Sequence, residues 1–368
     1  MRSTRSIPSL DGLRAISILL VIISHVAVDV YHDYAQTFTR NESIFQNLFL
    51  VGHLGVTVFF VISGFLITTL LLQEEPISLR RFYFRRTLRI FPPYYFYLGV
   101  ILTLGLAGLI SIDWSNTIAA FTYTRNYFFD EGSTDAWYLA HTWSLCVEEQ
   151  FYLIFPATLV LLGKRWGFGV VGLVLVACPV VRLIYVINDP SISVEFGRFE
   201  TVADSLAIGC LLAKGRPRLH SVLVYKRLIG SSLPLLAPVV AVFITWLGNF
   251  PKYYSKPIYV LLLLSVQNIC IAIFLDWAVT NAEGRVGKLL NLRPVVFLGV
   301  ISYSVYLWQE PFLNPDLSMP LVVKLLLVFG ASIVSFYLIE RPSLRFRRFL
   351  EGRKSKRLTL VPVSREEG

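Results

Sequence analysis

Residues 10–32 read LDGLRAISILLVIISHVAVDVYH, an apolar run that carries Asp11, Arg14 and His25. A membrane-crossing helix needs about 20 apolar residues. An ionisable group at membrane depth costs roughly 2–3 kcal/mol or more, so it marks a functional site. On a helix, Arg14 and His25 fall within about 20° of one face and about 16 Å apart along the axis. Asp11 lies within about 40° of His25 on the same reasoning, which gives the first helix one polar stripe. Imidazole can take and return a proton near neutral pH, and this makes His25 a candidate general base. The competing readings are a hydrogen bond from His25 to a neighbouring helix, and an ion pair of Asp11 with Arg14 at the membrane surface.

The rest of the chain agrees with a bilayer setting. Its 368 residues are 55% hydrophobic and only 16% charged, with a mean hydropathy of +0.62. That much apolar surface exceeds what a soluble core hides, and an integral, multi-pass membrane protein is expected. The net charge of +10 lies in short connections between apolar runs, which argues against nucleic acid. The first run is longer than the apolar core of a secretory signal and no small-residue cleavage site follows it, so it is expected to stay. Cys146, Cys178, Cys210 and Cys270 sit in or beside apolar runs without metal-ligand spacing and read as packing residues.

Apolar runs at 10–32, 50–72, 91–111, 142–162, 167–187, 230–248, 257–280, 294–313 and 320–340, with a shorter one at 199–213, predict an all-α protein of about ten transmembrane helices. With a cytoplasmic N-terminus, 26 of the 34 Lys and Arg fall in inner connections and five in outer ones. That asymmetry places both termini in the cytoplasm. The chain divides into a membrane domain, 1–340, and a basic cytoplasmic tail, 341–368. The long outer connection 112–141, rich in aromatic residues, is read as interfacial or as covering a site.

Two further clusters carry chemistry. In Arg80-Arg81-Phe82-Tyr83-Phe84-Arg85-Arg86-Thr87-Leu88-Arg89, helical spacing lets guanidinium forks converge, and such forks suit phosphate; the alternative is an inner loop obeying the positive-inside rule. In His141-Thr142-Trp143-Ser144-Leu145-Cys146-Val147-Glu148, residues His141, Ser144 and Glu148 can share a face. Glu148 is either a first-turn carboxylate favoured by the helix dipole or a partner of His25 in one outer-half pocket. Ser63 and Gly64 fall mid-helix, where a small surface permits close helix contact. The segment Ser302 to Phe312 sets polar groups at an outer boundary and reads mostly as an aromatic belt. No phosphate-binding glycine loop, HExxH or nucleophile elbow is visible, and no metal site is expected.

Taken in order, five segments make the chain resemble the acyltransferase 3 family of integral membrane acyltransferases. They are Leu10-Asp11-Gly12-Leu13-Arg14-Ala15 with His25, Phe59 to Phe65 with Ser63 and Gly64, and Phe82 to Ile90 with Pro92. Thr142-Trp143-Ser144 through Glu148 to Tyr152 and Ile301 to Trp308 complete the set. The resemblance implies transfer of an acyl group, commonly acetyl, from cytoplasmic acyl-CoA to a hydroxyl of a sugar, cell-surface glycan or small metabolite. It implies His25 as the essential histidine, Arg14, Arg86 and Arg89 on the donor side, and Glu148 as a site carboxylate. Asp11, Ser63, Gly64, Trp143 and Ser144 support them.

On that reading acyl-CoA is a co-substrate and no cofactor is permanently bound. His25 acts as general base or accepts the acyl group, and Glu148 orients the imidazole. Many members carry His where this chain has Gln309. Some carry an extracytoplasmic domain after the last span, so a separate extracytoplasmic transferase is an expected partner here. The plasma membrane is the expected location. A proton-coupled transporter is the competing class; the Arg86 and Arg89 cluster together with the Trp143 to Tyr152 motif argues against it, since transport requires neither.

Overall fold

The computed structural model describes residues 7–35, 42–128, 136–189, 197–248 and 256–359, and among them every regular element is helical. In chain order these are α1 (Leu10–Ala35), α2 (Glu42–Leu72), α3 (Leu79–Leu106), α4 (Trp114–Phe121), the single turn α5 (Ala136–Leu139), α6 (Thr142–Leu161), α7 (Gly163–Asn188) and α8 (Phe199–Leu219). They continue as α9 (Leu223–Gly230), α10 (Leu236–Leu247), the short α11 (Lys256–Ile258), α12 (Leu264–Thr280), α13 (Arg285–Leu290), α14 (Arg293–Phe312), α15 (Leu321–Ser335) and α16 (Arg341–Thr359). Six helices among the described residues are long and apolar enough to cross a membrane, and seven if the bent pair at 223–247 counts as one span. The chain is therefore a multi-pass membrane protein. Three more helices, α3, α8 and α14, have 28, 21 and 20 residues and carry charged or polar side chains along part of their length.

Two elements differ from the sequence reading. The arginine-rich connection 79–90 is part of α3 itself, because Ser78 caps the helix by accepting from Arg81 N at 3.4 Å and nothing breaks it before Leu106. The run 230–248 is not one straight span: Leu223–Gly230 and Leu233–Leu247 meet at 63°, with Pro234 at the bend. A π-helical turn at Phe336–Glu340 joins α15 to α16, carrying the buried Glu340 to where it accepts from Ser304 Oγ at 2.9 Å.

Close helix contacts position the centre. α1 packs between α2 and α14, and α2 against α8. Glycines make these approaches possible: a Cβ on Gly64 would lie 2.0 Å from Leu206 O, and one on Gly209 would lie 2.2 Å from Val61 O. α2 and α8 thus meet backbone to backbone, as small residues allow where no water drives the contact. A Cβ on Gly299 of α14 would lie 1.8 Å from Asp11 O of α1.

Two buried ion pairs tie helices together. Arg182 of α7 bonds Asp204 of α8 at 2.7 Å, and Lys324 of α15 bonds Asp29 of α1 at 2.5 Å, all four being buried.

The connections sort into two groups by contact. At one end, Lys164 pairs with Glu75, Arg85 bonds Glu74 (3.0 Å) and Glu351 (2.6 Å), and Ser9 N bonds Asn291 (2.9 Å). The hydrogen bond from Lys164 holds the exposed Glu75 carboxyl below its ordinary range. At the other end, Trp137 meets Glu310 O at 2.7 Å, and Tyr127 meets Glu200 at 3.2 Å.

Gly209→Val drives a branched side chain into the α2 backbone and is expected to cost about 1–3 kcal/mol or more. The check is thermal unfolding in detergent beside Gly230→Val, a position with open space around its Cβ. Equal melting of the two variants would contradict the close contact.

Candidate functional site

His25 lies on the polar stripe of α1 and its two ring nitrogens meet different acceptors. Nδ1 is 2.9 Å from Val21 O, one turn earlier on the same helix. A carbonyl only accepts, so Nδ1 carries a proton. Nε2 is 3.2 Å from Glu310 Oε1. The other oxygen of Glu310 is 2.6 Å from His141 Nδ1 and accepts from His141 N at 3.1 Å. Glu310 therefore bridges two histidines and three helical regions, α14, α1 and the mouth of α6. Trp137 covers the bridge, its ring 5.9 Å from that of His25 and its Nε1 donating to Glu310 O at 2.7 Å. His25 keeps 16% of its side-chain surface and Glu310 keeps 6%, so the imidazole is enclosed but not sealed.

Glu310 is present for a local reason. Near the end of α14 and followed by Pro311, it faces the first turn of α6, where backbone N–H groups lack helical partners. Its carboxylate takes one of them, from His141.

A cleft of about 870 Å³, counting the space at its mouth, runs between α1, α2, α3, α6 and α14. Arg14, Arg86 and Arg89 line it, with Ser63, Ser144, Glu148 and Tyr306. Arg14 pairs with Asp11 at 3.3 Å, and Arg86 stacks 3.6 Å over the Tyr152 ring and lies 3.8 Å from Glu148. Arg89 has no carboxylate at salt-bridge distance among the described residues. Three guanidinium groups converge on one cleft that Glu148 and Glu149 also line, and their planar forks can hold a phosphate-bearing ligand. At the other end of the cleft, Tyr306 Oη donates to His141 O at 3.0 Å and lies 2.6 Å from Ser144 Oγ. The cleft wall is thus linked to His25 through His141 and Glu310.

The sequence-derived candidates divide between these two places. Asp11, Arg14, Arg86, Arg89, Ser63, Ser144 and Glu148, from four helices, gather at or beside the cleft. Arg81 and Arg85, on the same α3 face by spacing, turn instead to Glu74 at 3.6 and 3.0 Å. Gly64 sits against α8 and Trp143 against Phe60, ring centroids 6.1 Å apart.

Glu148 is not the carboxylate beside His25. It accepts from Ser63 Oγ and Tyr152 Oη and faces Arg86. The reason is geometric: Glu148 lies seven residues, or about 10 Å, farther along α6 than His141, which is the residue level with His25. Sequence reading missed Glu310 as a site residue because a carboxylate among Tyr306, Trp308 and Phe312 passes for part of an aromatic belt. The available signal was its place at the same end of the bundle as His141. Among the described residues no three side chains converge as metal ligands.

Comparison with known proteins matches residues 7–340 to a family model described as an acyltransferase domain. O-acetyltransferase OatA of Staphylococcus aureus (strain NCTC 8325 / PS 47) is 30% identical over 376 residues, covering 93% of this chain and 58% of the relative. A second protein of Staphylococcus aureus (strain COL), described only provisionally as an O-acetyltransferase, is 32% identical over 334 residues, covering 84% of this chain and 51% of the relative. The chain thus spans little more than half the length of the curated relatives it matches. No solved structure matches it.

Glu310→Leu leaves the buried His141 N and Nδ1 without their acceptor. The expected cost is about 2–5 kcal/mol, with a smaller one for Glu310→Gln, which retains an oxygen acceptor. Thermal unfolding in detergent checks this, and a Leu variant that melts like the parent would contradict the bridge.

Proposed function

The chain belongs to the acyltransferase 3 family, and from that premise we propose that it is a membrane O-acyltransferase carrying an acetyl group from cytoplasmic acetyl-CoA to a hydroxyl of a sugar, surface glycan or small metabolite. The proposed topology has ten crossing helices, α3, α8 and α14 among them, with both termini in the cytoplasm of a cell whose plasma membrane holds the protein. The 26-to-5 division of Lys and Arg supports this orientation, as do the contacts that gather the basic connections at one end.

The observation that carries the reading is the His25–Glu310–His141 bridge beside an arginine-lined cleft. The phosphates of acetyl-CoA sit against Arg14, Arg86 and Arg89, whose planar forks take phosphate oxygens in pairs. Asp11 and Glu148 hold Arg14 and Arg86 in place from behind. The pantetheine arm lies along the cleft toward Ser144 and Tyr306.

With the Nδ1 proton held by Val21 O, the neutral ring takes the proton of the acceptor hydroxyl on Nε2 once that hydroxyl displaces Nε2 from Glu310 Oε1, 3.2 Å away in the resting site. The acceptor oxygen forms its bond to the thioester carbonyl carbon as the O–H bond breaks. The carbon–sulfur bond then breaks, and the CoA thiolate takes the proton back from His25. Nothing is oxidised or reduced. Glu310, anchored by two N–H groups of His141, opposes the positive charge while the imidazolium exists. In this assignment Glu310, rather than Glu148, orients the histidine. Trp137 limits water at the ring, which protects the thioester from hydrolysis.

His25→Ala is expected to abolish transfer of radiolabelled acetyl from acetyl-CoA while the protein stays folded and inserted. Arg89→Ala removes a charge-assisted contact worth about 1.5–3 kcal/mol, so the KM for acetyl-CoA should rise roughly 10- to 100-fold. Full activity of the His25 variant, or an unchanged KM in the Arg89 variant, would contradict these roles.

A further inference from the structure

The arginine-rich turn of α3 has a neighbour from the far end of the chain. α16 packs against it, and Ser343, Arg347 and Glu351 follow one another at one-turn spacing along one face of α16. Ser343 Oγ donates to Leu88 O, and Glu351 accepts from Arg85 Nε at 2.6 Å. Arg347 stands between these two anchors, opposite the stretch of α3 from Arg85 to Leu88 that includes Arg86. The residues matched by the family model end at 340, so Arg347 lies outside the matched segment.

Arg347 is the cation there whose charge is left over. It is partly buried, and its Nε is shielded from solvent without a hydrogen-bond partner. Glu351 and Glu74 are committed to Arg85 at 2.6 and 3.0 Å, and Glu148 faces Arg86 at 3.8 Å. Among the described residues no carboxylate lies at salt-bridge distance from Arg347. Arg85, Arg86 and Arg348 act on it as like charges, and Glu351 as an opposite one. Holding like charges together away from water is unfavourable, and an anion placed among them offsets the repulsion.

The layout of acetyl-CoA brings such an anion to this place. In the pose above, the thioester end lies toward Ser144 and Tyr306 and the diphosphate lies against Arg14, Arg86 and Arg89. Beyond the diphosphate comes the adenosine, whose ribose bears a 3′-phosphate. A phosphate monoester carries about −1.5 to −2 charge at pH 7. Arg347 does not line the cleft; it stands past Arg86, at the end of the bundle where Arg85 meets Glu74 and Glu351 and away from Tyr306.

We propose that Arg347 of α16 binds the ribose 3′-phosphate of acetyl-CoA and makes the protein selective for CoA over carriers that lack that phosphate. The assignment rests on the acyltransferase reading above and adds a specificity-determining residue outside the cleft. The planar fork of Arg347 takes two phosphate oxygens, while the Ser343 and Glu351 contacts hold α16 in register with α3.

The test measures equilibrium binding of acetyl-CoA and of acetyl-dephospho-CoA, which lacks the 3′-phosphate, to the full chain purified in detergent. The parent should bind acetyl-CoA about tenfold more tightly than the dephospho form. Arg347→Gln should bind the two within about twofold of each other, and bind the dephospho form as the parent does. Arg345→Gln, on the exposed face of α16, should keep the preference of the parent. Should Arg347→Gln not fold, Arg347→Lys decides: it keeps the charge without the fork, and its preference should drop to about threefold or below. Equal binding of the two donors by the parent overturns the proposal. So does a full preference retained in the Arg347 variants, an equal loss of both donors in Arg347→Gln, or a loss of preference in Arg345→Gln as large as that in Arg347→Gln. A parent protein that binds neither donor overturns the acyltransferase reading itself, a distinct result.

Discussion

A carboxylate between two imidazoles, enclosed among apolar helices, is the interaction on which the arrangement depends. Glu310 must be held by donors or become neutral, since a bare charge at that depth is not tolerated. His141 supplies two N–H groups and His25 faces the remaining oxygen. This requirement fixes the relative height of α1, α6 and α14. The α1 to α14 contact permitted by Gly299 holds those two helices close enough for it.

From that bridge the rest follows as a division of charge. Toward one end of the bundle, Arg14, Arg86 and Arg89 gather around a cleft that Glu148 and Glu149 also line. Elsewhere among the described residues, buried Arg182 pairs with Asp204 and buried Lys324 with Asp29. The guanidinium groups of the first region suit an anionic ligand. Val56 and Phe60 line both the cleft and a second cavity among α2, α6, α7, α8 and α12.

Much of this was legible in the sequence, for physical reasons that differ by residue. Apolar length and the position of Lys and Arg marked the helices, because lipid imposes both. Arg14 and His25 were placed on one stripe by helical periodicity alone, and the three-residue spacing of Arg86 and Arg89 let both line one cleft. What periodicity does not give is height relative to other helices. Glu148 was assigned to His25 on the ground that both approach the outer surface, yet α6 carries it about two turns past His141 and into the company of Arg86. Glu310 was passed over for the opposite reason, since its neighbours Tyr306, Trp308 and Phe312 look like an interfacial belt when read along the chain. The break at Leu223–Leu247 was hidden too, as bending depends on local packing around Pro234 that composition does not reveal.

The central claim is that Glu310 serves the histidine while Glu148 serves the donor cleft. Steady-state kinetics of Glu310→Gln and Glu148→Gln, with acetyl-CoA varied in membranes carrying each protein, separate the two most directly. The account predicts that Glu310→Gln lowers kcat and leaves the KM for acetyl-CoA unchanged, and that Glu148→Gln raises that KM with a smaller effect on kcat. A collapse of kcat at unchanged KM in Glu148→Gln, beside a near-normal Glu310→Gln, would contradict it.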